Sequence, residues 1–185
     1  NDISQGNTYH ILINNSGGPK GGPIIDAVKT EFLEGFNRHL ICNHILSTAL
    51  LSGMKSENYG RIINIISTSV KQPIQGLGVS NTIRGAVASW SKTLSFEVSS
   101  WGITVNNILP GFTNTERLFS LIASKAKSSN RTEADIEDEF KKQIPAGRFG
   151  DPEETAKAIA FLASPAAAYI NGVNLAVDGG RLSCI

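Results

Sequence analysis

Two serines and an arginine near the middle of the sequence could act together on a polar substrate. The apolar stretch 61–66 predicts a strand that ends at Ser67. Thirteen residues later comes Ser80, and four residues after that Arg84. This spacing places both side chains on one face of a helix. Hydroxyl groups hydrogen-bond carbonyl oxygens, and a guanidinium binds phosphate or hydroxyl oxygens. The pattern therefore predicts a polar site between a strand end and a helix.

The elements that must position these residues alternate between strands and helices. We predict strands at 10–15, 61–66, 103–109 and 173–177, and helices at 30–54, 79–98, 116–127 and 133–143, with one more helix beginning at Asp151. The strands are apolar throughout rather than on one side, which is typical of a parallel sheet covered on both faces. The sequence therefore predicts an α/β fold.

Length, charge and cysteine content narrow the function. The 185 residues suit one domain, and a net charge of +1 gives no basic surface for nucleic acid. No apolar run reaches the roughly 18 residues of a membrane span, and the first ten residues lack the plan of a signal peptide. Cys42 and Cys184 lack the spacing of a metal site or a disulfide framework. We expect a cytoplasmic protein that binds no nucleic acid, membrane or metal.

Three further segments carry a family resemblance. Residues 14–17 (NNSG), 110–115 (PGFTNT) and 147–180 follow one another at the spacing seen in the short-chain dehydrogenase/reductase family. There, a serine ends the fifth strand and Tyr-x-x-x-Lys lies thirteen residues on. This sequence has Ser80 and Arg84 at those two positions. It resembles a divergent branch with Ser-x-x-x-Arg, often labelled 3-oxoacyl-acyl-carrier-protein reductase-like.

The resemblance implies a Rossmann-like, doubly wound parallel sheet flanked by helices, with NAD or NADP as cofactor. It implies an oxidoreductase that interconverts a small carbonyl compound and its alcohol by hydride transfer, on a 3-oxoacyl thioester-like substrate. It also implies a homodimer or homotetramer packed through helices 30–54 and 79–98. The polar segment 113–147 is then a substrate lid.

One part of the family pattern does not occur in the sequence. The family begins with a strand and a glycine-rich turn that holds the cofactor pyrophosphate, but GGPKGG at 17–22 lacks the required spacing. We expect residues 1–185 to be the C-terminal part of a single domain whose N-terminal strands are missing. The natural protein would then be longer by about three βα units. Without them, strand 10–15 would be a bare apolar edge.

The resemblance assigns roles to the three residues of the polar site. Ser67 would hydrogen-bond the substrate carbonyl, or else satisfy nearby backbone at the strand end. Ser80 cannot replace a tyrosine as proton donor, since its hydroxyl is far less acidic than a phenol. It would bind substrate or water, or be an inert residue early in a helix. Arg84 would grip the cofactor ribose or a phosphate, or form a structural ion pair.

His39 stands where the family has an asparagine that anchors a proton-relay water. An imidazole with an unperturbed pKa of about 6.5 could itself donate a proton. We hypothesise that His39 supplies protons to a water in the space left by the tyrosine. The alternative is a buried, satisfied helix histidine.

The cofactor would be contacted from two turns. The predicted cofactor-binding residues are Asn15, Ser16, Gly17, Arg84, Pro110, Gly111, Thr113 and Thr115. Gly17 allows close backbone approach, although a tight turn alone would also explain it. Thr115 would meet the nicotinamide carboxamide, or cap the helix that follows.

Three functions compete on the sequence alone. The first is an active NAD(P)(H)-dependent oxidoreductase with an altered proton path. The second is a catalytically degenerate dinucleotide-binding sensor or partner subunit, which the loss of tyrosine and lysine favours. The third, another parallel α/β nucleotide binder such as a flavodoxin-like protein, conflicts with the order of the motifs.

Overall fold

The computed structural model describes residues 7–184, and the sheet in this part of the chain has four strands. The strands are β1 (Ile11–Asn14), β2 (Gly60–Ile65), β3 (Ile103–Pro110) and β4 (Asn174–Val177). They lie side by side in chain order, and each neighbouring pair is parallel. No boundary differs from the prediction by more than one residue. The predicted parallel α/β sheet is therefore confirmed.

Helices cover both faces of this sheet. They are α1 (Lys29–Gly35), α2 (Cys42–Ser56), α3 (Gly78–Val98), α4 (Glu116–Ser129), α5 (Glu133–Lys142) and α6 (Pro152–Ala163). Neighbouring residues of a strand point to opposite faces, so Ile62 packs against α2 and α3 while Ile63 packs against Leu162 of α6. Within residues 7–184, no helix combines the length and apolarity that a membrane span requires.

The predicted single helix at 30–54 is instead two α-helices joined by a π-helical turn, Phe36–Ile41. Up to Ser47, the buried positions on this run are polar or small and recur every four residues: Gly35, His39, Asn43 and Ser47, and only then follow the apolar Leu50 and Met54. A spacing of four exceeds the 3.6 residues of an α-helical turn, and the wider π turn absorbs the difference. The prediction relied on apolar spacing and was wrong here, because Ile41 and Ile45 are exposed.

Helices α4 and α5 form a separate layer with its own small core. Ile122 of α4 and Ile136 of α5 are buried in it. Phe112, which follows β3, stacks on Phe140 with ring centroids 4.5 Å apart. The segment predicted as a lid is therefore a folded helical pair attached to the end of β3.

A row of buried asparagines crosses the sheet beneath α3. Asn14, Asn64, Asn107 and Asn174 occupy paired positions on the four strands. Their side-chain amides are joined in sequence by hydrogen bonds of 2.8, 3.0 and 2.8 Å. Ser91 of α3 closes the row by donating to Asn107 Oδ1 at 2.8 Å and accepting from Asn64 Nδ2. Asn43 of α2 also donates to Asn64 Oδ1 at 3.3 Å, so this asparagine row ties all four strands to α2 and α3.

Candidate active site

The carboxyl ends of the parallel strands place the predicted site residues along one edge of the sheet. Residues 15–17 follow β1, Ser67 follows β2 by two residues, and Gly111 follows β3 directly. In open parallel sheets this edge is where ligands bind. Arg84 reaches the same edge from α3, since its Nη1 donates to the Ile65 carbonyl at 2.8 Å.

His39 lies in the π-helical turn and contacts the turn after β1. It is 2 % exposed, and its Nδ1 lies 2.7 Å from Ser16 Oγ. Its Nε2 is buried and has no hydrogen-bond partner among residues 7–184. With the Ser16 hydroxyl as donor to Nδ1, the imidazole proton is on Nε2. His39 is therefore buried, and of its two ring nitrogens only Nδ1 has a hydrogen-bond partner among the described residues.

The pKa of His39 differs from the unperturbed value assumed from the sequence. Burial, followed by the positive charges of Arg84 and Arg38, lowers the pKa of His39 from 6.5 to about 4, and a backbone contact with Gly17 only partly opposes this. The imidazole is therefore neutral at pH 7. The assumption of an unperturbed pKa does not hold, because the burial of the ring, which is the larger cause, and the two nearby arginines both follow from tertiary packing that the sequence did not reveal.

Arg84 is a buried cation without an acidic partner. It is 8 % exposed, and its buried Nε has no hydrogen-bond partner in the described part of the chain. Burial, then the nearby charge of Arg117, lowers the pKa of Arg84 to about 10, so it stays protonated at pH 7. None of the ion pairs among residues 7–184 includes it. The expected alternative, a structural ion pair, is therefore absent from these residues.

Ser67 and Ser80 differ in what their hydroxyls do. The half-buried Ser67 accepts a 3.1 Å hydrogen bond from the Ser69 backbone N–H, which is the local role considered above. That bond uses a lone pair and leaves the hydroxyl proton free to donate. Ser80 is half-buried in the first turn of α3, one helical turn before Arg84, and its side chain makes no hydrogen bond within the described residues.

The turn after β3 is shaped by close packing. A Cβ atom at Gly111 would lie 2.7 Å from the Asp178 Cα, so only glycine fits there. Thr113 pairs with Gly150 in an isolated bridge. Thr115 occupies the N-cap position before α4, but its hydroxyl donates to the Thr113 carbonyl at 3.2 Å instead of capping the helix.

Sequence reasoning missed Arg117 and Gly18. Arg117 donates from Nη2 to the Pro19 carbonyl at 3.0 Å, joining α4 to the turn after β1 across 98 positions of sequence. One signal in the sequence pointed to Arg117. A positive charge in the first turn of a helix is unfavourable to the helix dipole, so its presence there suggests that the side chain has another role. The sequence also gave no indication that Arg38 lies near His39, because exposed arginines are common on helices.

Comparison with known proteins supports the fold and the family. A family model described as Enoyl-(Acyl carrier protein) reductase matches residues 3–181. The chain is 36 % identical over 170 residues to the 3-oxoacyl-[acyl-carrier-protein] reductase FabG of Vibrio cholerae, covering 92 % of this chain and 65 % of that protein. It is 32 % identical over 184 residues to the NADPH-dependent reductase BacG of Bacillus subtilis, covering 98 % and 70 %. The chain therefore spans slightly under two thirds of the FabG relative.

Solved structures agree. YwfH, an NADPH-dependent reductase involved in bacilysin biosynthesis, superposes with a TM-score of 0.92 at 30 % identity, over 98 % of this chain and 70 % of that one. The L-sorbose reductase of Gluconobacter frateurii, solved with NADPH and L-sorbose, gives a TM-score of 0.89 at 29 % identity, over 96 % and 68 %. The chain belongs to the short-chain dehydrogenase/reductase family.

Proposed function

We propose that this protein is an NAD(P)(H)-dependent oxidoreductase that interconverts a carbonyl and an alcohol, with a proton donor other than tyrosine. The observation that carries the proposal is that, among residues 7–184, the buried Nε of Arg84 and the buried Nε2 of a neutral His39 both lack hydrogen-bond partners at the carboxyl ends of the strands. Such orphaned groups cost stability unless a ligand completes their hydrogen bonds. The names of the relatives point to 3-oxoacyl thioesters as one substrate class to test.

The residues at the sheet edge fit a nicotinamide cofactor. Asn15 and Gly17 are exposed, and nothing lies within 4 Å of the position a Gly17 Cβ would occupy, so a ligand can approach this backbone closely. We propose that the Arg84 guanidinium, whose buried Nε has no hydrogen-bond partner among residues 7–184, binds a ribose or phosphate oxygen. When bound, the cofactor supplies the hydride, two electrons and one hydrogen, that forms the new C–H bond of the alcohol. We assign Ser16, Pro110, Gly111, Thr113 and Thr115 to the same cofactor wall.

The chain must then supply one proton to the carbonyl oxygen. We propose that Ser67 orients this oxygen with its free O–H, and that the proton leaves Nε2 of His39 through a water. Nδ1 takes a proton from the Ser16 hydroxyl as Nε2 loses its own, so the ring never carries a full charge. Ser16 is half-buried and recovers its proton from solvent. This path suits an imidazole with a pKa of about 4, because a neutral ring can still relay protons.

The surface supports two proposals about the surroundings of the site. The side chains of Ile11 and Ile13 on the edge strand β1 are exposed, so we propose that a further strand, with the glycine-rich turn, pairs there in the natural protein.

Ile45 and Phe96 are exposed on α2 and α3, and we propose that these helices pack against another subunit. Residues 113–147 would close over the substrate.

The test is oxidation of NADH and NADPH by the full-length protein with a panel of ketones and 3-oxoacyl thioesters. We expect turnover, and a kcat reduced about 10- to 100-fold in His39→Asn with an altered pH profile. His44→Asn is the matched control, because His44 is exposed on α2. Cofactor binding without turnover in the natural protein, with turnover appearing in the double variant S80Y/R84K, would overturn the proposal in favour of a dinucleotide-binding sensor.

A further inference from the structure

Two guanidinium groups meet at one open point beside Gly18. A Cβ atom at Gly18 would lie 3.6 Å from Nη2 of Arg117 and 3.7 Å from Nη2 of Arg84. Beyond the chain neighbours of Gly18, no third described atom lies within 4 Å of that point. Two like charges therefore face the same small space, which no side chain fills. An arrangement of this kind is costly unless an anion binds between the charges.

The neighbouring charges do not neutralise the pair. Among residues 7–184, neither Arg84 nor Arg117 forms an ion pair with a carboxylate. Arg38 adds a third positive charge close enough to affect His39.

Glu31 and Glu34 line an adjacent cavity of about 240 Å³ together with Lys20, Arg38 and His39. The Glu31 carboxylate already accepts the Val28 backbone N–H at 3.1 Å. Within 4 Å of the Gly18 Cβ position, the side-chain atoms among the described residues are the two guanidinium nitrogens, whereas these two carboxylates belong to α1.

We propose that Arg84 and Arg117 bind the carboxylate of an oxo acid substrate beside Gly18. This assignment rests on the oxidoreductase function proposed above and narrows its substrate class. Arg84 touches the end of β2 through the Ile65 carbonyl, while Arg117 belongs to α4 of the proposed lid. A carboxylate between them would lie where the sheet edge meets the lid. The substrate carbonyl is then reduced to a hydroxyl by one hydride and one proton, and the carboxylate is unchanged.

Substitution of Gly18 tests the anion site without any need for turnover. Gly18→Asp would place a carboxylate between the two guanidinium groups, and Gly18→Asn would place a neutral group of the same shape there. The space around Gly18 has only ordinary contacts, and its φ is not in the left-handed region, so both variants fit. We expect the melting temperature of the full-length protein to be higher in Gly18→Asp than in Gly18→Asn. Equal melting temperatures, or a lower one for Gly18→Asp, would overturn the anion site.

Turnover tests the substrate class. We expect kcat/KM for 3-oxobutanoate to exceed that for its methyl ester and its N-acetylcysteamine thioester at least tenfold in the natural protein. Arg117→Gln should abolish this preference, whereas Lys127→Gln, which removes a positive charge further along α4, should keep it. No acid preference in a protein that reduces the neutral compounds would contradict this inference alone. If no compound is reduced, the proposed function fails while the Gly18 comparison still reports on the anion site.

Measuring KM for NADPH distinguishes a substrate carboxylate from a cofactor phosphate as the anion that binds beside Gly18. If Gly18→Asp raises KM for NADPH and leaves the acid preference intact, the site belongs to a cofactor phosphate and the substrate assignment is wrong. We expect the acid preference to be lost in Gly18→Asp, with a smaller change in KM for NADPH than in kcat/KM for 3-oxobutanoate.

Discussion

The asparagine row and the active-site cluster are both buried and polar, yet their hydrogen bonding differs. In the asparagine row, a hydrogen bond of 3.0 Å or less joins each pair of neighbouring strands. Among the described residues, the one buried side-chain amide atom of the row without a partner is Asn14 Oδ1, at the β1 end. In the active-site cluster of His39 and Arg84, the buried His39 Nε2 and Arg84 Nε have no hydrogen-bond partner in the described part of the chain, and the nearby charges of Arg38 and Arg117 repel.

We interpret this difference as one between groups that stabilise the fold and groups proposed to bind a ligand. A satisfied buried network rigidifies a fold, because removing one member leaves the others unpaired. An unsatisfied cluster costs stability until a ligand completes it. The same sheet therefore holds its strands together with amides in the middle and presents unpaired groups at its edge.

The largest effect should follow from breaking the row at its centre. Asn64 is fully buried and bonds to Asn14, Asn107 and Ser91. We expect Asn64→Leu to lower the free energy of unfolding by about 3–5 kcal/mol, because several buried amide groups lose their partner. Urea unfolding measures this, with the exposed Asn37→Leu as control. A loss below about 1 kcal/mol would show that the row contributes little.

The second effect is a pH dependence of stability. The pKa of His39 is about 4 in the folded protein and near 6.5 when unfolded, so the unfolded state binds more protons between these values. The contribution of His39 is therefore fully present above pH 6.5 and is lost as the pH falls towards 4. We expect the natural protein to lose about 2 kcal/mol more than His39→Gln between pH 7 and pH 4.5. His44→Gln should behave as the natural protein does, and parallel curves for all three would contradict the burial of a neutral ring.

Arg84→Met should change stability less than the break in the row. The variant loses the bond to the Ile65 carbonyl but also removes a buried charge from beside Arg117. These terms oppose each other, so we expect a change within about 1.5 kcal/mol in urea unfolding. A loss as large as that of Asn64→Leu would mean that Arg84 is structural.

The smallest stability effect belongs to Ser80. Its side chain makes no hydrogen bond in the described residues, so Ser80→Ala should alter the free energy of unfolding by less than about 0.5 kcal/mol. Thermal unfolding without substrate measures the contribution of Ser80 to stability, and the same measurement with substrate shows whether Ser80 contributes to binding. A stability change above 1 kcal/mol without ligand would show a structural bond.

The sequence predicted the sheet well because strand signals are local. Apolar runs such as 103–109 were bounded by Gly102 and Pro110, and the structure follows them closely. The π-helical turn was missed because its buried side chains are polar, so apolar spacing misled. The contact between Arg117 and Pro19 joins segments that lie far apart in sequence, and no local pattern encodes it. The shifted pKa of His39 depends on the same long-range packing.

Cofactor-induced stabilisation tests the central claim, that the unsatisfied cluster is a ligand site. The melting temperature of the full-length protein is measured with NADPH and with NADH, for the natural protein and for Arg84→Met. A ligand at about 100 times its Kd stabilises the folded state by about 2.7 kcal/mol. We predict a clear upward shift in the natural protein with at least one cofactor, and a much smaller shift in Arg84→Met. Equal shifts in both proteins, or none in either, would contradict the claim.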